Sequence, residues 1–126
     1  MVSLAVIIII SLSFLTLFRG KVYAKDSDLS KARQLFTKGE ASYTENKPDL
    51  ALRYYFAALD LFPSMPKAYY RIGVIYGPLK REYRKGIEFF HTSIKYDFQD
   101  PNAYHSMRES WGVLEVSLRA VEVVVE

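Results

Sequence analysis

Gly39 and Gly73 stand 34 residues apart, and the residues downstream of each match in kind. Ala51 and Tyr55 follow the first glycine, and Gly86 and Phe90 follow the second, 35 positions on. A weaker echo continues the series: Tyr69, Gly73 and Tyr76 recur as Tyr104, Arg108 and Trp111, and Gly86 with Phe90 recurs as Ala120 with Val124. Self-similarity at such a period constrains a chain more than composition does. Each unit is one supersecondary element with an apolar face it cannot bury alone, so units must stack.

The period is built from helices. Leu29, Ala32, Leu35, Phe36, Gly39 and Tyr43 recur at three and four residues, as one face of a helix requires. Asp28 or Ser30 is placed to cap this helix. Asn46-Lys47-Pro48-Asp49 breaks it, with Pro48 suited to the first turn of the next. A second stripe runs Leu50, Ala51, Tyr54, Tyr55, Ala58, Leu59, Phe62 and stops at Pro63-Ser64-Met65-Pro66. Tyr69-Tyr70-Arg71-Ile72-Gly73-Val74-Ile75-Tyr76 forms a third helix, ended by Gly77-Pro78. Tyr83, Ile87, Phe90, Ile94 and Phe98 mark a fourth. Asp100-Pro101 is a cap and first-turn pair for a fifth, which carries Tyr104, Met107, Trp111 and Leu114. The middle unit holds one extra residue between Gly73 and Gly86, in the Gly77-Pro78-Leu79-Lys80 stretch.

This pattern resembles the tetratricopeptide repeat (TPR) family, whose signature is Trp-x2-Leu-Gly-x2-Tyr, then Ala-x3-Phe, then Pro. The middle repeat supplies Tyr69, Ile72, Gly73, Tyr76, Gly86 and Phe90. The first supplies Leu35, Gly39, Ala51, Tyr55, Ala58 and Pro63, with Lys38 and Ser42 as poor matches. The third is degenerate, with Arg108 at the small-residue position. The resemblance spans Ser30 to Leu114 and implies an all-α fold: a right-handed α-solenoid of antiparallel helix pairs, about two and a half repeats long, behind a hydrophobic N-terminal helix.

Three segments follow. Residues 1–24 read as a signal peptide or a membrane anchor: Val2 to Phe18 is uncharged, and Val22-Tyr23-Ala24 suits cleavage after Ala24, although no basic residue follows Met1. An uncleaved anchor is the alternative, and Arg19 and Lys21 would then favour a cytoplasmic C-terminal side. Residues 25–120 are the repeat domain. Residues 121–126, Val-Glu-Val-Val-Val-Glu, form an apolar tail, β-branched and poor for a helix. It reads as the edge of a truncated array or as a docking edge.

From Lys25 onward there are 15 Lys and Arg against 14 Asp and Glu, so nothing marks a nucleic-acid footprint. With no cysteine, disulfides and thiolate chemistry are excluded. His91 and His105 belong to different repeats and lack acidic partners at ligand spacing, Asp97 and Asp100 read as helix stop and cap, and no glycine-rich phosphate loop is present. The expectation is no enzyme, no cofactor and no metal. Lys80-Arg81-Glu82-Tyr83-Arg84-Lys85 reads as a solvated basic turn, with anionic lipid or an acidic partner as its sharper reading.

The resemblance implies a concave groove lined by the first helix of each repeat. Its positions are Arg33, Phe36, Thr37, Glu40 and Tyr43; Lys67, Tyr70, Arg71 and Val74; and Asn102, His105, Ser106 and Glu109. Tyr70 and Arg71 are its expected centre, because interface hot spots favour Tyr and Arg. Phe36 and Glu40 stand where some family members clamp a terminal carboxylate with Lys and Asn, so no such clamp is implied. The expected function is non-catalytic binding of a peptide or protein segment by an exported, periplasmic or envelope-associated protein. The alternative is a membrane-tethered structural or assembly subunit that self-associates through exposed repeat edges.

Overall fold

The computed structural model describes residues 25–125, and those residues are all-helical. The leader expected over residues 1–24 lies outside them, as does Glu126. Helix α1 covers residues 25–44 and is followed by α2 (Pro48–Leu61), α3 (Pro66–Val74), α4 (Tyr83–Tyr96) and α5 (Pro101–Val125). Asp28 and Ser30 lie inside α1, which is already helical at Lys25, so neither caps it. Among the described residues no helix is long and apolar enough to cross a membrane.

Backbone geometry repeats with the sequence. α1 ends in a Schellman turn: Asn46 is left-handed (φ 58°), its amide donates to Tyr43 O, and the Lys47 amide donates to Ser42 O. Thirty-five residues on, Arg81 is left-handed (φ 60°) and the Glu82 amide donates to Tyr76 O. The second closure spans one residue more than the first, and the extra residue has a place. Ile75–Leu79 is a π turn that extends α3, with the Lys80 amide donating to Ile75 O at 2.9 Å. A π turn is how a helix absorbs an inserted residue without losing its register. Gly77-Pro78 therefore does not end the third helix as expected; Pro78 lies within the turn. The second helices end alike: the Phe62 amide donates to Ala58 O and the Asp97 amide to Ser93 O, with φ of −141° and −138° at the two caps. Pro66 and Pro101 both open first helices.

The packing also repeats. A methyl group on Gly39 would sit 2.5 Å from the Tyr55 ring, and one on Gly73 would sit 2.7 Å from the Phe90 ring. Each glycine thus admits the aromatic ring of the following helix, and both rings are fully buried. Gly86 lies against Gly77, where a Cβ would come within 2.7 Å of Gly77 Cα. Gly77 is a packing residue as well as a bend. The core cluster is Ala51, Leu52, Tyr55, Leu59, Ala68, Ile72 and Ile75, walled by Phe36, Tyr43, Met65, Tyr69, Tyr76 and Phe89. Tyr69 stacks on Tyr96 and Tyr76 on Phe89, at centroid distances of 5.5 and 5.6 Å. Ser93, also buried, donates from Oγ to Pro66 O at 2.9 Å and ties α4 to the start of α3.

Two expectations fail at the C-terminal side. α5 is one continuous helix of 25 residues, so no break separates Leu114 from Ala120 and the third unit is not a helix pair. Val121 to Val125 continue it rather than forming a separate tail. The stretch offers no proline, and its one glycine, Gly112, sits mid-helix with open space around it. The modest propensity cost of β-branched residues, below about 0.7 kcal/mol each, does not end a helix already formed. Phe98 lies in the α4–α5 turn, 72% exposed, and is no part of α4.

A cleft across three first helices

Helices α1 and α3 and the start of α5 face one another across an open cleft of about 470 Å³. Its walls are Phe36 and Glu40 from α1, Lys67, Tyr70 and Arg71 from α3, and Asp100 and Asn102 from the entry to α5. A second cleft of about 430 Å³ adjoins it, lined by Arg33, Phe36, Thr37, Met65 and Lys67. Phe36 and Lys67 belong to both. Asp100 Oδ1 accepts the Asn102 amide at 2.9 Å and fixes the start of α5.

Glu40 is the hub of the floor. Its Oε2 accepts Arg71 Nε at 3.1 Å and Nη2 at 2.6 Å, and its Oε1 accepts the Tyr55 hydroxyl. The Arg71 guanidinium also lies 5.7 Å from the Tyr43 ring centroid. The Tyr55 phenol is held well above its ordinary range, first by burial and then by the hydrogen bond to the Glu40 carboxylate. Arg71, an expected centre of the groove, thus lines the cleft with its Nε and Nη2 donors held by Glu40. Tyr70 lies 5.8 Å from Phe90, ring to ring, and lines the cleft half-buried. Lys67 is exposed, and among the described residues no ion pair holds it.

The remaining expected groove positions separate. Tyr43 reaches the site only through Arg71. Val74 is half-buried on α3 and lines neither cleft. His105 does have an acidic partner at helical spacing, contrary to expectation: its Nε2 pairs with Glu109 at 3.2 Å along α5, and Glu109 lines a different cleft, with Pro78, Tyr83 and Val113. The basic turn is partly tied down: Lys80 pairs with Asp49 at 2.6 Å, and Lys85 Nζ sits 3.8 Å from the Tyr76 ring centroid. The hydrogen bond from Lys80 lowers the Asp49 carboxyl and that to Asp49 raises the Lys80 ammonium.

Asp100, a helix cap by its sequence, also lines the cleft. Tyr55 is fully buried beneath it and reaches Glu40, although its counterpart 35 residues on is Phe90. A buried Tyr where the repeat tolerates Phe signals a hydroxyl with a partner. No protein-family model and no curated protein matches the chain.

Proposed function

We propose that the chain is a non-catalytic protein-interaction module, a short right-handed solenoid of TPR-like helix pairs that holds a peptide or protein segment across the α1–α3–α5 cleft. One observation carries the reading: first helices of successive units, far apart in sequence, contribute Phe36, Lys67, Tyr70 and Asn102 to a single open cleft. Repeated cap and glycine geometry at a 34- to 35-residue spacing supports the solenoid assignment. Binding centres on Tyr70 and Lys67, with the Glu40–Arg71–Tyr55 network setting the shape of the floor. The uncharged Val2–Phe18 run and Val22-Tyr23-Ala24 favour an exported, envelope-associated protein cleaved after Ala24, with a membrane anchor as the alternative.

Peptides selected from a display library on the full chain test this reading. Their binding is expected to weaken about tenfold or more, about 1.4 kcal/mol, in Tyr70→Ala and Lys67→Ala. It should stay unchanged in Arg53→Ala, an exposed position on α2. Equal losses in all three variants, or none, would reject the cleft.

A further inference from the structure

Tyr104, Met107, Trp111, Leu114, Leu118 and Val121 recur along α5 at intervals of three and four residues. That is a strict 3.5-residue seam, the a and d positions of a coiled coil. Tyr104, Trp111, Leu118 and Val121 are 45, 56, 53 and 62% exposed. The seam runs beside α4 and opens into a trough of about 630 Å³ lined by Arg84, Glu88, Trp111, Leu114, Glu115 and Leu118. Apolar residues of this size in one line mark an interaction surface rather than scattered exposure.

We infer that α5 pairs with α5 of a second copy of this chain, antiparallel, seam against seam. The charges beside the seam select the direction, and the pairing of every seam residue selects the register. On one flank stand Arg108, Glu115 and Glu122; on the other stand Ser110, Ser117 and Val124. A parallel pair sets one flank against the other and gains no ion pair, since the second flank is uncharged. An antiparallel pair sets like flank against like. With Trp111 opposite the partner's Leu114, Leu118 opposite the partner's Met107 and Val121 opposite the partner's Tyr104, every seam residue has a counterpart. Arg108 then faces the partner's Glu115, twice by symmetry; Glu115 also accepts Arg119 Nη2 of its own helix at 2.6 Å, through Oε1. Sliding one heptad one way opposes two copies of Arg108; sliding the other way sets Arg108 against the partner's Glu122 but opposes two copies of Glu115, and either slide leaves seam residues without a counterpart. The serines of the other flank, Ser110 buried and Ser117 exposed, keep that side slim where α4 packs. This surface is distinct from the α1–α3–α5 cleft, and the inference stands without it.

Sedimentation equilibrium on the full chain, in a mild non-ionic detergent, tests the pairing. The parent is expected to be a dimer, and Leu118→Asp to weaken it about tenfold or more. Val123→Asp, 75% exposed and off the seam, should leave it intact. Arg108→Glu should weaken the dimer and Arg108→Glu with Glu115→Arg should restore it. Both positions are exposed, so this pair decides even if Leu118→Asp lowers helix content by circular dichroism. A monomeric parent, a dimer indifferent to Leu118→Asp, or a charge swap that fails to rescue would overturn the inference.

Discussion

Gly39 and Gly73 do the same work at equivalent places, and substitution exposes it. In an open helix, Gly→Ala is stabilising by about 0.5–1 kcal/mol. Gly112, with nothing within 4 Å, should follow that rule. Gly39→Ala and Gly73→Ala should invert it and cost about 1–3 kcal/mol, because the new methyl meets the Tyr55 or Phe90 ring. Urea unfolding of the three variants reads the sign directly. Tyr55 supplies a second prediction at this scale. Its folded pKa lies above the ordinary 10, so its contribution is fully present below pH 10 and is lost as pH rises through the folded value. Stability should therefore fall above pH 10, and Tyr55→Phe should flatten that fall. The variant should also lose about 1.5–3 kcal/mol at neutral pH, from the hydroxyl's bond to Glu40. Both glycine–aromatic pairs were legible in the sequence, since an aromatic residue follows each glycine at nearly the same offset, from Gly39 to Tyr55 and from Gly73 to Phe90. The Glu40–Arg71 pair was not. It joins residues 31 apart on two helices, and no local spacing announces a contact of that kind.

Helix boundaries were readable where a proline or a cap residue fixed them, as at Pro48 and Asp100-Pro101; Pro66, read as part of a stop, instead opens α3. They were misread where the decisive term was a register. The extra residue near Gly77-Pro78 was visible as a count, but a count does not say whether it loosens a loop or swells a helical turn. The neighbouring close packing of Gly77 on Gly86 selects the swollen turn. Deleting Leu79, exposed at the end of that turn, should restore a regular turn and cost under about 1.5 kcal/mol, within the range of a tolerated repacking. Deleting Thr92, in the middle of α4, should rotate Ser93 and all later residues by about 100° and unfold the chain. Thermal melts followed by circular dichroism separate the two. α5 was misread for the opposite reason: weak propensity suggested an end, but no residue of the stretch opposes continuation.

At the scale of the molecule, helices α1 to α4 form two similar hairpins, and α5 begins a third unit without completing a pair among the described residues. That arrangement leaves two surfaces of different character. The α1–α3–α5 cleft is mixed, with aromatic, cationic and amide groups around a satisfied ionic floor. The α5 seam is apolar with charged margins. The first suits a heterologous segment, and the second suits a self-complementary helix. Phe36, Glu40, Lys67, Tyr70, Arg71 and Asn102, which the repeat pattern groups on one face, line one cleft. His105 and Glu109, grouped with them by the same pattern, do not line it, and Glu109 lines another.

The most direct measurement of the cleft's role is site-specific photocrosslinking in the native compartment. A photoreactive residue at position 67, on the cleft, is compared with one at position 53, on exposed α2. Discrete protein adducts from position 67 and none from position 53 are the expected result. Adducts from position 53 alone, or equally from both, would contradict the assignment of the cleft as the binding surface.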